Sequence, residues 1–259
     1  MSIILIGFLA SLAAGLATGV GALPALFLGR ISGKIQDAML GFAAGVMLAA
    51  SFFSLILPAL DASQGQGASE TTAVLVVIGG ILLGVAAIWG INENLPHEHF
   101  IMGPDGKASA SASLRRIWLF VIAITLHNFP EGLAVGVGFG GNDIANGMTL
   151  AVGIGLQNFP EGLAVAVALL GQGYSRVRAF RVALFTGLVE PVGGLIGITA
   201  VTISQPLLPW GLAFAAGAMI FVISHEIIPE THRRGYENHG TLGLIIGLVV
   251  MMFLDVVLG

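Results

Sequence analysis

The sequence predicts an all-α polytopic membrane protein: eight transmembrane helices, both termini outside, and an inverted repeat centred on helices 4 and 5. Three observations carry this expectation. Of 259 residues, 56% are hydrophobic and only 9% charged, against about 25% charged in a soluble domain. Eight apolar runs each reach the ~20 residues that span a ~30 Å hydrocarbon core. The string NFPEGLAV occurs twice, at 128–135 and 158–165.

The runs are 3–29, 38–60, 72–91, 117–140, 147–171, 179–203, 208–229 and 240–258, and with their short polar connections they make one transmembrane domain over 1–259. The first starts directly after Met1 without a basic flank, and it exceeds the ~7 to 15 apolar residues of a signal-peptide core. It is expected to be a retained helix rather than a cleaved leader. All ten basic residues fall in odd-numbered loops: Arg30 and Lys34 in the first, Lys107, Arg115 and Arg116 in the third, Arg176, Arg178 and Arg181 around the fifth, Arg233 and Arg234 in the seventh. Lys and Arg stay on the cytoplasmic side, so the odd loops face the cytoplasm and both termini lie outside. The 38 glycines, crowded with Ala into the apolar runs, suit helices packed closely in lipid. With no Cys, disulfides and thiolate metal sites are excluded. Nothing points to nucleic acid as a partner.

Helices 4 and 5 are consecutive and antiparallel, so identical motifs at matching depth are related by a pseudo-two-fold axis in the membrane plane. Inverted repeats around a midplane site are characteristic of secondary transporters; a local duplication that packs two similar helices is the plainer alternative. Glu131, Glu161 and Glu190 each oppose insertion by roughly 2.5 to 3.5 kcal/mol near mid-bilayer. No Lys or Arg lies deep in a span to pair with them, Arg181 being at the very start of 179–203, so protonation or a bound cation must compensate.

His127 and Glu131 stand at i and i+4, as do Gln157 and Glu161, which aligns each pair on one helix face. Facing one another, the four offer nitrogen and oxygen donors suited to a borderline divalent ion. Asn128 and Asn158 sit slightly displaced along the helices with Glu190 in reach, so a second, adjacent site bridged by Glu131 and Glu161 is a candidate. Either one or two divalent ions leave the three carboxylates near neutrality. Pro130 and Pro160 cannot donate to the carbonyls of Leu126 and Leu156. Kinks with freed backbone oxygens lining a cavity are expected there.

At these residues the chain resembles the ZIP family of zinc and iron transporters, bacterial type. The resemblance rests on HNFPEG in helix 4, QNFPEG in helix 5, Glu190 and His225-Glu226, and covers essentially the whole chain. It implies a mid-membrane, often binuclear, metal site between helices 4 and 5, a homodimer, import toward the cytoplasm and an elevator-like motion. His127, Glu131, Gln157 and Glu161 match the family's first metal site; Asn128, Asn158 and Glu190 match the second, with the same two glutamates bridging. The chain departs from the commonest pattern at Gln157, where many members carry His, and at Asn158, where some carry an acid.

Outside this region, His97, Glu98 and His99 in the third loop, and His225 and Glu226 near the cytoplasmic end of helix 7, are candidates for a metal exit site. HEIIPE lacks the second His of an HExxH zinc motif, because Pro229 stands at i+4 from His225. Asp61, Glu70 and Asp143 are candidates for an acidic outer rim, and Asp255 carries no expected role. The reading is a multi-pass protein of the inner (cytoplasmic) membrane that imports divalent metal, zinc foremost, with cadmium, iron(II) and manganese(II) also considered. It is not an enzyme and carries no prosthetic group. A metal-selective channel built on the same residues, or an intramembrane metalloenzyme, are the alternatives.

Overall fold

In hydrocarbon an apolar run must satisfy its own backbone hydrogen bonds, which a helix does. The computed structural model describes residues 2–27, 32–94, 110–171, 173–232 and 235–258; of 94, 110–120, 123, 126, 127, 141, 171 and 258 it describes the backbone alone. Among the described residues all regular structure is helical. Seven stretches are long and apolar enough to cross a membrane: Ile3–Leu26, Gly33–Gly65, Glu70–Glu93, Ile144–Leu170, Arg176–Ile203, Leu207–Thr231 and Glu237–Val257. They correspond to seven of the eight runs read from the sequence. The remaining run falls in a helix, Ala110–Gly138.

In chain order the α-helices are α1 (Ile3–Ala22), α2 (Gly33–Ala49), α3 (Leu57–Gly65), α4 (Glu70–Asn94), α5 (Ala110–Gly138), α6 (Ile144–Gly171), α7 (Arg176–Gly187), α8 (Glu190–Ile203), α9 (Leu207–Val222), α10 (Ile228–Thr231) and α11 (Glu237–Leu258). Hydroxyls start two of them. Ser2 accepts from the N–H of Leu5, and Ser175 from that of Arg178, each satisfying a backbone donor that the first turn leaves open.

Two of the expected spans are not single α-helices. The second is longer than read and passes through a π-helical turn, Ala50–Ile56, between α2 and α3; the seventh does the same at Ile223–Ile227, between α9 and α10. Both turns precede a proline, Pro58 or Pro229, which removes one helix donor. In both a serine bonds back to a carbonyl four residues earlier, Ser51 to Met47 and Ser224 to Ile220, each at 2.8 Å. The sixth expected helix is broken at Leu188 and Val189 into α7 and α8. Pro191 has no N–H for the carbonyl of Gly187, and Gly187 is pressed against Gly15 of α1.

Packing follows the glycines. α1 packs chiefly on α6 and α5 on α8, while α2 packs on α11 and α4 on α9. The last two pairs use matching residues. FAAGVML (42–48) leads into the first π-helical turn and FAAGAMI (214–220) into the second. Gly247 of α11 lies against the carbonyl of Phe42, and Gly84 of α4 against that of Phe214. α4 and α11 are outermost: 17% and 22% of their apolar windows are buried, against 67% for Gly33–Gly65. Their exposed Leu75, Leu82, Phe253 and Val256 make an apolar outer surface of the kind lipid covers.

Candidate metal centre

The repeated motif places its polar residues where α5, α6, α8 and α1 meet. α5 and α6 continue as helix through Pro130 and Pro160. The glycine after each glutamate sets the depth of contact. A Cβ on Gly132 would overlap the backbone of Glu190, and one on Gly162 would overlap the carbonyl of Thr18. Only a residue without a side chain lets α5 touch α8, and α6 touch α1, at this distance.

The result is a buried polar cluster. Glu131, Glu161, Glu190, Asn128, Gln157 and Asn158 are all buried, none more than 8% exposed. Gln157 Nε2 donates to Glu131 Oε1 at 2.5 Å. Asn158 Nδ2 donates to Glu190 Oε1 and to the carbonyl of Ala14, both at 2.7 Å. With its amide turned to donate, Asn128 places its nitrogen 2.7 Å from Glu161 Oε1 and 2.5 Å from the carbonyl of Ile124. The opposite orientation would set acceptor against acceptor. Each glutamate therefore has its own amide. The carboxylate of Glu131 is in Coulombic reach of Glu161 and Glu190, and Glu190 of Glu161.

Four oxygens in this cluster are buried and accept no hydrogen bond from the described residues: Glu131 Oε2, Gln157 Oε1, Asn158 Oδ1 and Glu190 Oε2. Acceptors left without a partner in a buried site are unfavourable by ~1 to 3 kcal/mol each; a proton on a carboxylate relieves that oxygen, and a cation relieves carboxylate and amide oxygens alike. Among the described residues no group of three or more His, Asp and Glu side chains is gathered for a metal ion. The donors that approach one another here are carboxylates interleaved with amides.

Glu190 was expected within a continuous helix. It is instead the first residue of α8, where the helix dipole favours an anion, and its carbonyl accepts from Ser11 Oγ at 2.8 Å. The backbone of His127 stands one turn before Glu131 on α5; its side chain lies outside the described residues, as do His97, Glu98 and His99 entirely.

His225 is exposed in the second π-helical turn, stacked on Phe221 at 4.9 Å, with Asn92 of α4 3.3 Å from its Nε2. Glu226 follows it in the same turn, partly buried. Asp255, for which the sequence offered no role, accepts from Ser54 Oγ at 2.6 Å. The two pairs occupy matching positions. Ser54 and His225 each stand four residues before the proline that follows their π-helical turn, and Asp255 and Asn92 each stand eight residues after the glycine packed on a FAAG phenylalanine. The signal was in the sequence, as the repeated FAAG string.

Residues 90–255 match the ZIP Zinc transporter family. The chain is 49% identical over 253 residues to the Zinc transporter GufA of Myxococcus xanthus, covering 98% of this chain and 99% of that one. It is 49% identical over 243 residues to the Zinc transporter ZIPB of Bordetella bronchiseptica, covering 94% and 78%. Similarity extends to the Zinc transporter ZIP11 of Homo sapiens, 37% identical over 305 residues, covering 87% and 89%. A match to the family over most of the chain, and relatives aligned nearly end to end, make this chain a member of the ZIP zinc transporter family, a family of transporters and not of enzymes.

Proposed function

We propose that the chain imports divalent transition metal, zinc foremost, across the cytoplasmic membrane through a central site held by α5 and α6. The observation that carries this is the buried cluster of three glutamates and three amides with four orphaned oxygens. His127, Glu131, Gln157 and Glu161 form the first site; Asn128, Asn158 and Glu190, with the two shared glutamates, form the second. Cadmium, iron(II) and manganese(II) fit the same mixed donor set less closely than zinc fits the imidazole. α5 is the eighth crossing, both termini lie outside, and the two NFPEGLAV copies are halves of an inverted repeat within one domain that works as a homodimer. That the relatives are named zinc transporters supports the choice of metal.

In operation, an ion arriving from outside exchanges its water for the carboxylate and amide oxygens, and Gln157 and Asn158 contribute their free oxygens while their nitrogens hold the glutamates in place. Protonation of the glutamates weakens the site and releases the ion toward His225, Glu226 and the third-loop histidines His97 and His99.

The test is uptake into proteoliposomes of zinc against cadmium, iron(II) and manganese(II), with Glu131→Ala and Glu161→Ala beside the parent. Uptake that persists in both variants would refute the central site. Flux that fails to saturate with metal would make the protein a channel using the same residues.

A further inference from the structure

α2 and α11 pack against each other through Gly41, Gly45, Gly243 and Gly247, and α6 crosses beside them at Pro160. In the seam lies an apolar groove of about 380 Å³, lined among others by Ile35, Met39, Phe42, Pro160, Leu242 and Ile246. Ile35 is 53% exposed and Leu242 58%, so the groove opens outward instead of being filled by the protein.

The groove itself is apolar, and ionisable side chains stand beside one end of it. His239 lines the groove, its ring meets that of Tyr236 edge-on at 6.1 Å, and the Lys34 ammonium stands 5.8 Å from the centre of the Tyr236 ring. From His239 to Ile246 the apolar wall runs seven residues, roughly 10 Å at the helical rise. An open hydrocarbon slot lined at one end by an imidazole, with a cation over the tyrosine that this imidazole meets, suits one kind of molecule. The tail is apolar and the head is a phosphate. Basic sites between spanning helices are where anionic lipid headgroups bind.

We propose that this groove holds an acyl chain of an anionic phospholipid, with its phosphate at Lys34 and His239. Lipid seated there fills the seam between α6 and the α2–α11 pair, next to Pro160 and hence one residue from Glu161. On the topology proposed above the lipid belongs to the cytoplasmic leaflet; its binding does not depend on that topology or on metal.

The experiment uses the full chain, stripped of lipid in detergent and titrated with dioleoyl phosphatidylglycerol or dioleoyl phosphatidylcholine, with retained lipid read by native mass spectrometry. One phosphatidylglycerol per chain is expected to be retained at concentrations where phosphatidylcholine is not. Lys34→Gln should lower that retention about fivefold, the effect of one basic group at an anionic surface. Ile246→Trp, which fills the slot and leaves Lys34 and His239 in place, should lower it as well, with the melting temperature unchanged. Glycerol 3-phosphate should not compete. Equal retention of the two lipids, or retention untouched by both substitutions, overturns the proposal. So does a disulfide between two copies through Leu242→Cys, the sole cysteine in that variant, because a second copy would then occupy the groove. Failure of zinc uptake in Glu131→Ala bears on the transport reading alone, since lipid retention involves no metal.

Discussion

Gln157 of α6 donates its amide to Glu131 of α5, and Asn128 of α5 donates to Glu161 of α6. The acid of each motif copy is thus held by an amide of the other. The two donors come from unlike positions: Gln157 precedes NFPEG in its copy, whereas Asn128 begins it. His127 occupies the first copy where Gln157 occupies the second. One position in the pair brings imidazole, the other an amide that both donates and offers an oxygen.

On the proposed site, Gln157 is the position expected to set metal preference. Gln157→His adds an imidazole nitrogen, and zinc affinity is expected to rise roughly tenfold relative to manganese, which favours oxygen donors. Competition titration with the two metals measures it. Gln157→Leu is expected to destabilise the metal-free protein by about 1 to 3 kcal/mol, since Glu131 then loses its buried donor. An unaltered zinc-to-manganese ratio in the histidine variant would remove Gln157 from the set of ligands.

Gly132 and Gly162 are expected to tolerate nothing larger. Gly132→Ala and Gly162→Ala each drive a methyl into a neighbouring helix backbone, and overpacking of this kind destabilises by about 1 to 3 kcal/mol. Because the displaced helices carry Glu190 and Thr18, uptake should fall with stability. Gly65→Ala is the control, as nothing lies within 4 Å of a Cβ there. Thermal melts and uptake of all three variants decide it; a neutral Gly132→Ala would mean that α5 and α8 need not touch.

Much of this was legible in the residues. Apolar length marked eight spans, seven of which recur among the described residues as stretches long and apolar enough to cross a membrane, and charge in apolar context singled out Glu131, Glu161 and Glu190, because a carboxylate in hydrocarbon is unfavourable whatever the fold. The break before Glu190 was not foreseen. Pro191 and Gly187 are ordinary in a transmembrane helix taken alone; here the helix donor missing at Pro191 coincides with the close approach of Gly187 to Gly15. The π-helical turns were missed for a related reason: a one-residue widening leaves the apolar pattern almost intact. The Ser54–Asp255 pair joins residues 201 apart in sequence, and the repeated FAAG string marks the matching positions without showing which side chains bond.

Metal binding should weaken as pH falls. Carboxylates and imidazole bind metal only when deprotonated, so each proton that the ion displaces makes affinity drop by up to about tenfold per pH unit below that group's titration. The sign is fixed: acid on the releasing side promotes release, and acid on the loading side opposes loading. Zinc titrations across pH on the parent and on Glu131→Gln, which has one fewer group to titrate, should give a shallower slope for the variant. Identical slopes would mean that Glu131 is not protonated in competition with zinc.

The two matched hydrogen bonds, Ser54 to Asp255 and Asn92 to His225, tie α11 and α4 to the π-helical turns of their partners. Ser54 donates to a charged acceptor at 2.6 Å in a partly buried setting, and bonds to charged groups contribute roughly 1.5 to 3 kcal/mol. The Asn92 bond is longer, at 3.3 Å, and exposed, where water competes for both groups. A double-mutant cycle of Ser54→Ala with Asp255→Asn is therefore expected to give a coupling of about 1 kcal/mol or more, and the cycle of Asn92→Ala with His225→Ala a coupling near the roughly 0.3 to 0.5 kcal/mol at which distant sites already add. Unfolding in mixed micelles reads both cycles. Equal couplings would show that the matching positions hold their helices with equal strength despite the difference in burial and distance.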